Sequence, residues 1–283
     1  MSYLHHIRAC NSHDLSGFLP FYVGPDRVGW VRHELAERLT RIDDVFTVER
    51  DRVSLLAGLN TFDARSEAMA RVLGELVADG TVSQLREEDY PVLTSWGQPP
   101  LLKMDRAAVA HFGIRSYGLH INGFVRRPDG IHLWVGKRAT DRKIAPGKLD
   151  NLVAGGQPIG LTLDENLVKE AHEEAGLSAE AARRAIPVGV VSYLMEHPAG
   201  LKPDTLFIYD LEVAEDFVPR NTDGEVEHFM LWTLDEVAQR VRDTDDFKFN
   251  VNLVIIDFLI RHGYLKPDDA EYPELAIGLR RAV

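Results

Sequence analysis

The sequence predicts an α/β protein of the α+β type: a mixed sheet with helices packed against it, preceded by a smaller α+β domain. Three observations carry that prediction. Residues 1–112 mostly space apolar side chains three and four apart, 113–160 alternate them around an Asp-Gly turn, and the remainder interleaves both periods. A chain of 283 residues with 45% apolar content can fill two cores, and the division falls at 1–112 and 113–283.

In the first part, "WVRHELAERLTRI" and "ARSEAMARVLGELVADG" read as helices, the second stopped by Gly80. "FYVG" and "DDVFTVER" read as short strands, and "TSWGQPPLLKM" as a turn because of Gly97, Pro99 and Pro100. "YGLHINGFVRR" and "IHLWVGKR" form a hairpin whose Asp129-Gly130 supplies positive-φ residues. The basic loop "ATDRKIAPGKLDN" leads to "LVAGG". Helices at about 163–175, "AEAARRA", "LDEVAQRVRD" and 250–262 then interleave with strands at "PVGVVSYLM", "DTLFIYDLEV" and "HFMLWTL", and Gly263 ends the last helix.

Lys and Arg total 32 against 44 Asp and Glu, a net charge of −12, so general attraction to nucleic acid or anionic lipid is not expected. The single cysteine, Cys10, allows no internal disulfide and no Cys-based zinc site. With no basic-then-apolar start and no membrane-length apolar run, the expected location is cytoplasmic. Walker-type loops, G-x-S-x-G and H-E-x-x-H are absent, and the eleven histidines, His5-His6 and His172 among them, show no metal-ligand spacing.

The chemistry concentrates in "DNLVAGGQPIGLTLDENLVKEAHEEAGL", residues 150–177. Thr162 and Glu165 stand at capping-box spacing, which starts a helix near Leu163. Leu167, Val168, Ala171 and Ala175 share its apolar face, and Glu170, Glu173 and Glu174 a second face roughly 120° around. Like charges at this spacing repel, and only Lys169, with a Glu165–Lys169 pair, lies close enough to offset them. Divalent cations would remove the conflict, and hard carboxylate oxygens suit Mg²⁺ or Mn²⁺. The competing reading is a solvated acidic face.

The stretch resembles the Nudix box, G-x5-E-x7-R-E-U-x-E-E-x-G-U, with U apolar. Gly155, Glu170, Ala171, Glu173, Glu174, Gly176 and Leu177 fall in register, whereas Leu161 replaces the first Glu and Lys169 the Arg. The resemblance implies a Nudix α/β/α sandwich over 113–283 and a pyrophosphohydrolase that uses Mg²⁺ (or Mn²⁺). Glu170, Glu173 and Glu174 would be its metal ligands, Glu174 or Glu173 its base, and the backbone near Ala154 or Gly155 a further ligand. Such families often add an acidic residue from a later loop. Here "NTDGEVEHFMLW" offers Glu225, the choice for the metal, and Glu227, set on the same side by alternation.

Lys169 completes the catalytic set by pairing with neighbouring carboxylates. For substrate phosphates the candidates are Lys137, Arg138, Arg142 and Lys148, with Lys143 nearby, and the close-approach glycines Gly155 and Gly156. Trp30, Trp96, Tyr117, Phe124 and Tyr193 are candidates for stacking on a substrate ring, although core packing explains each as well.

"PFYVGPDRVGWV", "FGIRSYGLHINGFV", "GKLDNLVAGGQPIGL" and "FKFNVNLVIIDFLIRHG" further resemble a subfamily in which a Nudix domain follows an N-terminal domain of about 110 residues. The same unit is fused to thiamine pyrophosphokinase in some fungi. That likeness implies a small-molecule diphosphate substrate, namely thiamine diphosphate or its oxidised or damaged analogues, hydrolysed to monophosphates. The N-terminal domain would cap the site or build a homodimer contact. Alternatives are hydrolysis of nucleoside diphosphate derivatives and a non-catalytic ligand-binding module, the latter motivated by Leu161. Isopentenyl diphosphate isomerase is disfavoured because its catalytic cysteine has no counterpart near the motif.

Overall fold

The computed structural model describes residues 2–141 and 144–281. In chain order the elements are α1 (Tyr3–Ala9), β1 (Phe18–Val23), β2 (Asp26–Arg32), α2 (His33–Leu39), β3 (Phe46–Val48), β4 (Val53–Leu55), α3 (Phe62–Ala78), β5 (Asp89–Val92) and β6 (Leu102–Asp105). There follow β7 (Ser116–Arg127), β8 (Gly130–Arg138), β9 (Leu149–Asp150), β10 (Val153–Gly156), α4 (Leu163–Ala175), α5 (Ala179–Ala182), β11 (Ile186–His197), β12 (Gly200–Glu212), β13 (Val226–Thr233), α6 (Leu234–Asp243), α7 (Val251–Arg261) and α8 (Tyr272–Gly278).

The N-terminal strands form a sheet in the order β2-β1-β4-β3, and β5 pairs with β6. Phe21, Val31, Leu39 and Val53 meet the buried stripe of α3, Met69, Val72, Leu73 and Leu76, in one apolar core. The larger sheet runs β11-β12-β7-β8-β13, with β10 on β7 and β9 on β8. Only its β12–β7 pairing is parallel; the others are antiparallel.

Alternate residues of the same strands feed opposite layers, as a period of two requires. On β12, Leu206 and Ile208 join a core with α6, α7 and α8, whereas Tyr209 and Leu211 join one with α4 and α5. This is a helix–sheet–helix sandwich. α1 also packs into the α6–α7 layer through Tyr3, Leu4 and Ile7, and the Tyr3 hydroxyl donates to the Ala238 carbonyl at 3.1 Å.

Several local expectations are corrected. Trp30, Val31 and Arg32 end β2 rather than begin a helix, and Leu102–Met104 form β6 within the stretch read as a turn. Antiparallel pairing explains both, since Val31 faces Leu19 and Met104 faces Tyr90, contacts that local spacing does not encode. The hairpin loop is Pro128-Asp129, closed by Arg127 opposite Gly130. Of the expected Asp129-Gly130 pair only Gly130, at φ 126°, takes a positive value; Asp129 does not. α1 and α8 were not expected.

Candidate active site

α4 begins where its cap allows. Thr162 Oγ1 accepts from the Glu165 amide at 3.2 Å, and the Glu165 carboxylate accepts from the Thr162 amide at 2.8 Å. Glu165 is therefore held in the cap, and the expected Glu165–Lys169 pair gives way. Lys169 Nζ instead bridges Glu170 at 3.0 Å and Glu173 at 2.7 Å. Gly176 closes the helix in the left-handed conformation, φ 67°.

The three glutamates do not share one exposed face. The side chain of Glu173 is 39% exposed and that of Glu170 12%, while Glu174 is buried, at 6%. Glu174 stands seven residues after Leu167, within about 20° of it around the helix, which turns it toward the sheet. There its Oε2 accepts from the Ala154 amide at 2.7 Å.

Glu170 lies against Gly155, where a methyl group would stand 2.4 Å from Glu170 Cδ and 2.5 Å from Oε2. Only glycine leaves that carboxylate in place. Buried Asn166 fastens helix to loop, its Nδ2 donating to the Gly156 carbonyl at 2.7 Å and to Gln157 Oε1 at 3.1 Å.

Burial pushes the Glu174 carboxyl well above the usual carboxylate range, and the charges of Glu170, Asp150 and Glu225 push the same way against the Ala154 amide. Burial also raises Glu170; Lys169 opposes it, while Glu173 and Glu88 add to it. Crowded carboxylates with too little positive charge are the environment a divalent cation relieves. The donors are the hard oxygens of Glu170, Glu173 and Glu174, with Glu225 acting on Glu174; the side chain of Glu170 fills the space that Gly155 leaves, and among the described residues no three of these carboxylates lie within 4.8 Å of one another. Carboxylate oxygens are the donor class that suits Mg²⁺ or Mn²⁺.

Glu225 and Glu227 part company. A bulge between Val226 and His228 breaks the expected alternation, and Glu227 pairs with Lys137 at 3.1 Å while Glu225 acts on Glu174. Leu161, where the motif lacks its first Glu, offers its carbonyl to Gln157 Nε2 at 2.8 Å.

Sequence reasoning missed a contribution from the N-terminal part. A methyl on Gly156 would meet the Tyr90 hydroxyl at 1.7 Å, and the Ile159 amide donates to the Asp89 carbonyl at 2.9 Å, so β5 abuts the glycine loop. Arg106, just after β6, lies over the Tyr90 ring at 5.6 Å and pairs with Glu88 at 2.7 Å. Glu88 acts on Glu170 and Glu225 on Arg106, so a guanidinium from outside the motif, paired with Glu88, lies within electrostatic range of Glu225. No spacing rule links residues so distant in sequence.

Residues 2–116 match a family model described as a domain of unknown function, DUF4743. Over 285 residues the chain is 44% identical to "Nudix hydrolase 20, chloroplastic" of Arabidopsis thaliana, covering 97% of this chain and 76% of the relative. The chain belongs to the Nudix hydrolase family. "Nudix hydrolase 24, chloroplastic" of the same plant is 42% identical, with 98% and 77% covered. Among solved structures, the Nudix domain of Shewanella oneidensis NrtR complexed with ADP ribose is similar at TM-score 0.42 and 12% identity, over 53% of this chain and 90% of that one.

The cytoplasmic expectation is overturned, since both plant Nudix relatives are named as chloroplastic. A lone cysteine excludes an internal disulfide and does not tell one compartment from another. No described helix is long and apolar enough to cross a membrane.

The basic loop needs a second correction. Buried Arg138 pairs with Asp150 at 2.9 Å and donates to the Ile144 carbonyl at 3.3 Å, while Lys148 donates to the Asp245 carbonyl at 2.6 Å. A buried guanidinium requires its counter-ion, so Arg138 is engaged within the fold rather than free for a phosphate, and the Lys148 ammonium is turned to the Asp245 carbonyl. Lys137 stays at the site's edge beside Glu227; Arg142 and Lys143 lie outside the described residues.

Of the aromatic candidates, Tyr193 is buried and bonded to Asp204, and Phe124 packs on Phe258. Trp30 lies under the Arg27 guanidinium. Trp96, 43% exposed, packs 4.7 Å from the candidate Tyr117 and equally near Phe207, a ring outside the sequence candidates. The Gln157 amide donates to the Tyr117 carbonyl at 2.9 Å, tying these rings to the strand end that carries Gly155.

Proposed function

We propose that this Nudix enzyme hydrolyses the diphosphate linkage of a small organic diphosphate, thiamine diphosphate or an oxidised analogue, to the monophosphate and phosphate with Mg²⁺ or Mn²⁺. The observation that carries the reading is the crowding of Glu170 against Gly155 and of Glu174 against the Ala154 amide, neighbouring carboxylates short of positive charge. The thiamine assignment rests on the likeness to the kinase-fused subfamily, and the rings of Trp96, Tyr117 and Phe207 offer a stacking surface for a thiazole or pyrimidine.

Glu170, Glu173 and Glu174 hold the metal in this reading, with Glu225 and the Gly155 backbone beside them. A metal held there would supply neutralisation of charge on the phosphoryl oxygens and a more acidic water. Glu173 or Glu174 takes the proton from the attacking water, and Lys169 keeps Glu170 and Glu173 in place. Arg106 binds a phosphate oxygen through its planar fork.

Chromatographic measurement of product formation in Mg²⁺ on thiamine diphosphate, its oxidised analogue, a nucleotide sugar and a dinucleotide tests the reading, since only the first two would release inorganic phosphate; faster turnover of either nucleotide overturns the thiamine assignment. Arg106→Ala is expected to lower kcat/KM by about 10- to 100-fold, with Arg106→Lys between it and the wild type. Unchanged kcat/KM in Arg106→Ala would remove the phosphate role.

A further inference from the structure

The histidines that show no metal-ligand spacing in sequence do converge in space. His5 and His6 project from α1, and Asp245 from the connection between α6 and α7; one ligand atom of each lies within 4.8 Å of the others. His5 Nε2 is 3.6 Å and His6 Nδ1 4.0 Å from Asp245 Oδ1. Both separations are too long for a direct hydrogen bond. Two ligands of one tetrahedral ion, each about 2.1 Å from it, stand roughly 3.4 Å apart, which is nearer to what is observed.

His6 supplies the second observation. It is buried at 3% exposure, and its Nε2 lies 2.6 Å from the Val241 carbonyl. A carbonyl only accepts, so Nε2 carries the hydrogen and Nδ1 keeps its lone pair. Among the described residues Nδ1 makes no hydrogen bond and faces Asp245. A backbone carbonyl fixing one ring nitrogen so that the other can ligate is the usual support of a metal-bound histidine.

We propose that His5 Nε2, His6 Nδ1 and Asp245 Oδ1 form a site for a borderline transition-metal ion of the Zn²⁺ class, separate from the Mg²⁺-type carboxylates of α4. Two imidazoles with one carboxylate favour Zn²⁺, Co²⁺ or Ni²⁺ over Mg²⁺. Three protein ligands leave a position for water, and a cavity of about 300 Å³ adjoins the group, lined also by Cys10, Lys148 and Lys248. A bound ion would clip α1 to the α6–α7 connection and stabilise the fold by mass action.

The experiment uses the full, untagged chain stripped of metal, in wild-type form and as Glu173→Gln/Glu174→Gln, which weakens the α4 cage. Calorimetric titration with Zn²⁺ in excess Mg²⁺ is expected to give one equivalent, at about micromolar Kd or tighter, in both proteins. His5→Ala and Asp245→Asn, made in the same double-Gln background, should weaken it at least about tenfold while keeping the metal-free melting midpoint. Saturating Zn²⁺ should raise the melting midpoint by roughly 5 °C in the parents and not in these variants. Retention of the Zn²⁺ equivalent in His5→Ala, or no binding in the double-Gln protein, overturns the site.

Discussion

Glu174→Gln is expected to lower kcat by about 10²- to 10⁴-fold, the loss associated with removing a metal ligand or general base from a hydrolase. The fold should survive. Gln keeps an oxygen to accept the Ala154 amide, the bond Glu174 makes at 2.7 Å, and removes a charge that burial, Glu170, Asp150 and Glu225 all disfavour. The sign of the stability effect follows from linkage. A carboxyl whose folded value is raised binds its proton more tightly in the native state, so the metal-free wild type loses stability as pH rises above the unfolded value near 4.5. The Gln variant escapes that loss. Without metal it should therefore be at least as stable as the wild type at neutral pH, the difference vanishing below the unfolded value. Steady-state phosphate release and chemical denaturation in chelator measure the two effects. Full activity in Glu174→Gln would remove Glu174 from the machinery.

The part of the site that was legible in sequence is the part built from local geometry. Thr162 and Glu165 mark the start of α4 because a capping box needs only three residues' separation, and Gly176 marks its end. The apolar spacing likewise gave the core face of α4 and the long hairpin β7–β8. Treating the three glutamates as one face failed at Glu174, although the helical period itself holds the answer in its seven-residue distance from Leu167. Arg138 and Lys148 misled because charge density in a loop says nothing about partners. Asp150 and the Asp245 carbonyl, which engage them, are brought in by β9 and by the α6–α7 connection. Tyr90, Glu88 and Arg106 left no local trace at all, since pairing of β5 with β6 and the abutment on Gly156 are both tertiary events. The same holds for α1, whose sequence position sets it with the first domain while Tyr3, Leu4 and Ile7 pack in the second.

Asp150→Asn carries the largest expected stability effect, about 3–5 kcal/mol, because it strips the counter-ion from two cations held inside the fold. Arg138 Nη1 lies 2.9 Å and Lys248 Nζ 3.6 Å from Asp150 Oδ2, and the side chains of all three are largely buried. Asn preserves volume and can still accept from the Asn151 amide, which Asp150 Oδ1 meets at 3.0 Å, so the loss reports charge rather than a cavity. Burial by itself would raise the Asp150 carboxyl, but Lys248, His120 and Arg138 outweigh it and hold it below the usual carboxylate range. A depressed folded value means the stabilisation is present above the unfolded value near 3.8 and is lost as pH falls through the folded one. The gap between wild type and Asp150→Asn should thus be full at neutral pH and close on acidification, as both chains come to carry a neutral group there. At roughly 2–4 °C per kcal/mol, the neutral-pH gap corresponds to a melting midpoint about 10 °C lower. Melting curves across the acid range decide it, and a variant within about 1 kcal/mol of wild type at neutral pH would show that Arg138 and Lys248 find water or other partners. Asp150 also acts electrostatically on Glu174, raising its carboxyl, so its loss should reach the site as well as the fold.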